Sequence, residues 1–145
     1  MLFKSRIYLE YNDIISMCDN ITYEVSKMKP DLLVGITRGG LLPALHMSHK
    51  LDRPMTTVRW QTRDRKQKEQ IPYLQDMIKS DKTVVFVDDI NDTGRTFKEL
   101  NEAYKCEGTN THFISLVKKI ETKFDAHASL TLKDKRWIVF PWEKD

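Results

Sequence analysis

The run Thr83-Val84-Val85-Phe86-Val87 limits the possible folds more than any other stretch of this chain. Every residue in it is β-branched or aromatic and suits an extended backbone. It has no polar face to turn to water, so only a strand covered on both sides satisfies it. A second run of this kind, Leu32-Leu33-Val34-Gly35-Ile36, precedes it. Each leads through a short polar or glycine-containing segment into a stretch with helical spacing. Covered strands alternating with helices predict an α/β fold, a parallel sheet with helices on both faces.

The remaining elements fit around that frame. Ile14, Cys18, Ile21, Val25 and Met28 form one helical stripe over residues 12–28. Asn12 or Asp13 is placed to cap it, and Pro30 ends it. Leu41 to Leu51 has helical spacing too, with Pro43 in the first turn, where a missing N–H costs little. Met55 to Trp60 reads as a strand, and residues 61–70 contain no apolar residue and read as an exposed loop. Leu74 to Ile78 predicts a short helix. Beyond Asp88-Asp89 a helix is expected from about Thr93 to Lys105, stopped by Gly108, followed by a strand from Phe113 to Val117. The apolar tail Trp137, Ile138, Val139, Phe140 and Trp142 is expected to form a small flap over one end of the sheet.

Composition excludes several classes of function. With 145 residues, 31% charged and 40% hydrophobic, the chain is expected to be one globular domain, 1–145. A net charge of +3 is too mild to argue for nucleic acid, yet suits a small anionic substrate. Cys18 and Cys106 lack metal-ligand spacing and read as idle thiols in a reducing compartment. No apolar stretch matches a signal peptide or a membrane span, so a cytoplasmic location is expected. His46 and His49 lie three apart on a helix without a third ligand, and helix packing or surface exposure accounts for them. His112 and His127 carry no signal.

Residues 84–96, VVFVDDINDTGRT, hold the most chemistry. In open α/β sheets, ligands sit beyond the carboxyl ends of the strands. Asp88 and Asp89 occupy that edge, and Asn91-Asp92-Thr93-Gly94-Arg95-Thr96 turns into a helix whose free N–H groups suit a phosphate. Gly94 permits close backbone approach, and Thr93 and Thr96 add hydroxyl donors. Two carboxylates beside a phosphate cradle suit sugar hydroxyls or hydrated magnesium. Three aspartates in five residues exceed what helix capping requires. Neither a Walker lysine motif nor a GxGxxG fingerprint is present, which disfavours a P-loop nucleotidase and a dinucleotide fold.

This segment resembles the phosphoribosyl pyrophosphate signature of type I phosphoribosyltransferases: an apolar strand, two acids, two variable positions, then DTGxT. The resemblance implies that Asp88 and Asp89 bind the ribose hydroxyls, directly or through Mg2+ held at Asp89, and that Asp92 to Thr96 hold the 5-phosphate. LLVGITRGGLLPA, residues 32–44, resembles the pyrophosphate loop of the same family, with Thr37, Arg38, Gly39 and Gly40 as the anion site and a non-proline cis peptide near Thr37-Arg38. KRWIVFPWEKD resembles the tail of the xanthine–guanine and hypoxanthine branch. Trp137 would then stack on a purine, and backbone groups near Ile138 would read its exocyclic edge. Lys118 or Lys119 would donate to its 6-oxygen; both fit the sequence. Trp142 is expected only to cover the sheet end.

By that resemblance the core spans about 10–118, and an N-terminal strand with 119–145 forms a hood. Residues 61–72 form a lid, in which the family's usual Ser-Tyr pair is absent, with Trp60-Gln61 or Thr62-Arg63 standing nearest. The expected reaction joins a 6-oxopurine (guanine, xanthine or hypoxanthine) to 5-phosphoribosyl-1-pyrophosphate (PRPP), with Mg2+ as cofactor. Arg38 would stabilise the departing pyrophosphate, and Asp92 would take or relay a proton at purine N7. A homodimer or homotetramer is implied, with no membrane partner and no nucleic acid. The competing readings are a regulatory protein that binds PRPP together with RNA or protein, and an enzyme acting on a pyrimidine base.

Overall fold

In the computed structural model, which describes residues 5–62 and 67–143, the chain forms seven strands and four helices. The first half comprises β1 (Arg6–Tyr8), α1 (Tyr11–Met28), β2 (Leu32–Thr37), α2 (Leu41–Leu51) and β3 (Met55–Arg59). The second comprises α3 (Pro72–Lys79), β4 (Val84–Asn91), α4 (Arg95–Ala103), β5 (Thr111–Lys119), β6 (His127–Leu132) and β7 (Trp137–Val139). Five strands make an all-parallel sheet in the order β3-β2-β4-β5-β6, while β1 and β7 pair separately, also in parallel.

The two covered runs are neighbours, with Leu33 opposite Val85 and Val34 opposite Phe86. Strand alternation sends their side chains into two different cores. Leu33, Val85 and Val87 pack with Ile14, Cys18, Ile21 and Val25 of α1 and with Ala44 and Met47 of α2. Val34, Ile36, Val84 and Phe86 pack with Leu74 and Ile78 of α3 and with Phe97, Leu100 and Tyr104 of α4. Phe86 and Phe113 stack there with ring centroids 5.1 Å apart. Cys18 and Cys106 are buried free thiols, and burial pushes the first to about 12 and the second to about 11. Among the described residues no helix is long and apolar enough to cross a membrane.

Several boundaries differ from the sequence expectation. β4 does not end at Asp88-Asp89; it stays paired to β5 as far as Asn91 opposite Lys118. The ladder needs only backbone groups, so it continues after the side chains turn polar. α4 starts at Arg95, after Gly94 at φ 91°, and ends at Ala103, with Lys105 rather than Gly108 taking the left-handed position that follows. α1 starts after Glu10, whose N–H donates to the Asp13 carboxylate at 2.8 Å. Asp13 therefore serves the cap from inside the helix. β6 was not anticipated. It is an edge strand, and of its six residues only Leu132 is buried, so it lacks a continuous apolar run. The hood is accordingly smaller than 119–145: β1 and β7 form it, with Ile7 opposite Ile138, while 127–132 belong to the central sheet.

The chain leaves β2 toward β3 on one side, and β4 lies on the other. The loops after β2 and β4 therefore diverge and open a crevice at the carboxyl edge, the usual ligand position in such sheets. Gly40 makes this close approach possible. A Cβ there would overlap the Val87 carbonyl oxygen and lie 2.8 Å from the Ile36 nitrogen. Both are backbone atoms that cannot rotate away. Gly40→Ala is expected to cost about 3 kcal/mol, the upper part of the overpacking range, read as a lower urea midpoint with an unchanged denaturant slope.

Candidate active site

A cavity of about 490 Å³ occupies that crevice. Its wall combines Asp88, Asp89 and Asp92 through Thr96 with Lys119, Trp137 and Ile138, and adds Thr62, Phe140 and Glu143. Acids, phosphate loop and proposed base-side residues thus share one space, although Trp137 lies 41 residues beyond Thr96 in sequence.

The Asp92–Thr96 loop, the expected phosphate loop, is shaped by its own short contacts. The Arg95 N–H donates to the Thr93 hydroxyl at 3.2 Å, and Gly94 adopts a left-handed φ of 91°. A Cβ on Gly94 would lie 2.6 Å from the Phe124 nitrogen, so both conformation and space require glycine. The free N–H groups of the first turn of α4 follow directly. The Arg95 guanidinium donates to Glu99 at 2.9 Å, and the Trp60 indole and Lys68 ammonium meet the other oxygen of that carboxylate at 3.1 and 3.0 Å. Partial burial raises Glu99, but these three donors outweigh it and hold its carboxyl below the ordinary range.

Asp88 and Asp89 are half-buried, and the Asp89 N–H donates to the Asp88 carboxylate at 2.8 Å. Burial, reinforced by the neighbouring Asp89 charge, raises Asp88 well above the usual carboxylate range. Burial also raises Asp89, helped by the charge of Glu143. Among the described residues neither aspartate has a basic side chain within ion-pairing distance. Such a pair has an electrostatic demand for a cation or for hydroxyl donors. Among the described residues no three acidic, histidine or cysteine side chains converge as a ready metal cage. Hard carboxylate oxygens, few in number, fit magnesium, which keeps waters and shares substrate oxygens.

Thr37-Arg38 is a cis peptide bond, as the family resemblance implied. The Thr37 hydroxyl donates to the Val58 carbonyl at 3.3 Å, and the Gly40 N–H donates to the Ile36 carbonyl at 2.8 Å. Thr37, Arg38, Gly39 and Gly40 do not form part of the cavity wall. Their link to it is Gly39, which lies so close to the Asp89 carboxylate that a Cβ would overlap it.

The two candidate lysines point to different places. Lys118 donates to Asp125 at 2.8 Å, in a separate surface groove. Lys119 is only 9% exposed, and its ammonium lies 3.7 Å from Asp92 and 5.6 Å from the centre of the Trp137 ring. Trp137 is 41% exposed, whereas Ile138 is buried. Trp142 stacks on Phe140 with centroids 5.1 Å apart and packs against the core beneath the hood. His46 meets Asp19 at 2.7 Å, joining α2 to α1.

Sequence reasoning missed Glu143 and the place of Thr62 in the wall. Both fall in segments singled out, the tail KRWIVFPWEKD and the lid, but neither was given a role, and only the pairing of β7 with β1 brings Glu143 to the cavity of the acids. The centre of the expected lid, Arg63, Asp64, Arg65 and Lys66, lies outside the described residues. Its stem is built: Trp60 and Lys68 form an antiparallel bridge, with the Gln61 N–H on the Gln67 carbonyl at 3.0 Å.

Comparison with known proteins agrees with this geometry. The phosphoribosyl transferase domain family matches residues 7–144. A xanthine-guanine phosphoribosyltransferase of Cereibacter sphaeroides is 29% identical over 77% of this chain and 68% of its own. The purine phosphoribosyltransferase of Pyrococcus horikoshii superposes with a TM-score of 0.81 at 31% identity, covering 97% of this chain and 95% of that one. The xanthine-guanine-hypoxanthine phosphoribosyltransferase of Helicobacter pylori does so with a TM-score of 0.75 at 26% identity, covering 95% and 93%. With the acid pair and the Asp92–Thr96 loop at the edge of one parallel sheet and the separate β1–β7 hood lining the same cavity, this chain belongs to the type I phosphoribosyltransferases, in their purine branch.

Proposed function

We propose that this enzyme transfers the 5-phosphoribosyl group from PRPP to a 6-oxopurine, guanine, xanthine or hypoxanthine, and releases pyrophosphate. The observation that carries the choice of base is Lys119, held between Asp92 and Trp137 in the same cavity as the phosphate loop. An ammonium group donates hydrogen bonds and accepts none. It therefore suits an exocyclic 6-oxygen and disfavours the 6-amino group of adenine. The xanthine-guanine relative supports the same reading.

The chemistry follows from charge. The bond from ribose C1 to the pyrophosphate oxygen breaks with its electron pair leaving on pyrophosphate, and C1 forms a bond to a purine ring nitrogen. Positive charge grows on the sugar and negative charge on the leaving group. Arg38 and the backbone N–H groups of its loop would stabilise the latter, and the amides at the start of α4 would anchor the 5-phosphate, a preorganised electrostatic contribution. Asp88 and Asp89 would orient the ribose hydroxyls. Magnesium held by Asp89, with Asp88 beside it, would supply Lewis-acid neutralisation of the diphosphate charge. Asp92 would take or relay the proton the purine loses, with Lys119 fixing the base against it.

Three outcomes test this. With magnesium and PRPP, the purified protein should form nucleotide and pyrophosphate from a 6-oxopurine and not from adenine, orotate or uracil; turnover of a pyrimidine alone overturns the assignment. Asp92→Asn should lower kcat by about a hundredfold or more, the usual worth of a positioned acid–base group, while PRPP affinity measured by calorimetry changes little. Equal loss of both would make Asp92 a loop-shaping residue.

The third outcome concerns pH. Asp88 and Asp89 carry raised values in the folded state, so the folded protein binds protons more readily than the unfolded chain. Stability of the ligand-free protein should then be greatest at low carboxylate pH and fall as pH rises through the raised Asp88 value. Asp88→Asn should flatten that limb and raise the ligand-free Tm by a few degrees at neutral pH, while weakening PRPP binding. A lower Tm would show that the acid pair is already neutralised within the protein.

A further inference from the structure

Asn91 occupies the second variable position between the acid pair and DTG, yet it is among the most enclosed polar residues of the chain, 3% exposed. Its side-chain N–H donates to the Phe124 carbonyl at 2.8 Å, and its oxygen accepts the Thr122 hydroxyl at 2.9 Å. Residues 122–124 also touch the phosphate loop through backbone. The Lys123 N–H donates to the Thr93 carbonyl at 2.9 Å, and the Phe124 nitrogen closes on Gly94. The other end of the same turn holds the base side, because the Thr122 N–H donates to the Lys119 carbonyl at 3.1 Å. The Phe124 ring anchors the turn, edge-on to Phe113 at 5.2 Å and to Phe97 at 5.9 Å.

We propose that Asn91 and Thr122 are positioning residues that join the phosphate loop and Lys119 into one rigid unit, so that affinity for the phosphoribosyl group and alignment of the base rise and fall together. This rests on the transferase reading given above. The argument is geometric. Beyond the last rung of the β4–β5 ladder, and without the Asn91 and Thr122 side chains, the turn would be tied to the loop only by the Lys123–Thr93 backbone hydrogen bond, the Phe124–Gly94 contact and the Phe124 ring against Phe97. Lys119 could then shift against Asp92 with no change in either side chain. Misplacement of about 1 Å in a transferase site costs up to roughly a hundredfold in rate, so a hydroxyl that touches no substrate can matter to both.

The test compares Thr122→Val, which removes the hydroxyl at equal volume, with Thr122→Ser, which keeps it. Two measurements are made at 25 °C: steady-state constants for PRPP and guanine, and hydrogen–deuterium exchange of the native protein. Thr122→Val should lower kcat/KM for both substrates about tenfold, and Thr122→Ser should restore it. Amides of 92–96 and of 118–122 should exchange faster together in Thr122→Val, while those of Val84–Val87 stay protected. Asn91→Ala combined with Thr122→Val should cost little more than the worse single change, because both cut one network. Kinetic constants of Thr122→Val within twofold of the parent, or faster exchange confined to 118–124, would overturn the proposal. If the unaltered protein turns over no base, the transferase reading falls by itself, and the exchange data alone decide whether loop and lysine form one unit.

Discussion

The β4–β5 ladder runs past the apolar core to Asn91 opposite Lys118, and this extension sets the distances on which the site depends. Parallel strands hold a fixed register, so the phosphate loop leaving β4 and the lysine ending β5 start from neighbouring points. Without the added residues, Asp92 and Lys119 would hang from two independent loops. With them, a charge pair at 3.7 Å forms between elements already locked side by side. The tight passage of Gly40 against Val87 brings the Thr37–Gly40 loop to the same edge from the other neighbour of β4.

The acid pair shows why such a site is poor in stability and useful in chemistry. Asp88 and Asp89 have been drawn partly out of water, next to each other and near Glu143. Each factor disfavours a second negative charge, and proteins tolerate such arrangements mainly where function requires them. Hydroxyl donors or a cation placed beside such a pair would offset that cost. The basic groups of the cavity and the lid stem have other partners: Arg95 and Lys68 meet Glu99, and Lys119 meets Asp92. None of these cations pairs with Asp88 or Asp89.

Much of this could be read from sequence, for identifiable reasons. The bounds of α2 follow from the glycine pair before it and the periodicity within it, and Leu41 to Leu51 stand as expected. Continuous apolar runs gave β2 and the start of β4, because a doubly covered strand has no other way to look. What escaped was decided by backbone or by distant pairing. β6 is an edge strand with one buried residue, so it lacks the pattern that betrays a strand. Asn91 reads as a turn residue, and only the partner strand shows it to be the last rung of a ladder. Lys118 and Lys119 must face opposite sides of β5 by simple alternation, but which side holds the cavity depends on the hood, which sequence does not place.

That last choice also bears on the rival reading of a regulatory protein that binds PRPP without turning it over. Such a protein needs the acid pair and the phosphate loop and nothing further. It has no use for a buried ammonium held 5.6 Å from the centre of a half-exposed tryptophan ring, and burying a lysine costs energy that only a partner offsets. Asp92 is that partner in the ligand-free protein. Lys119 is held inside by Asp92, and a partly exposed Trp137 ring lies beneath its ammonium. A planar base with an acceptor edge would suit both, its face toward the tryptophan and its edge toward the ammonium that lies over the same ring.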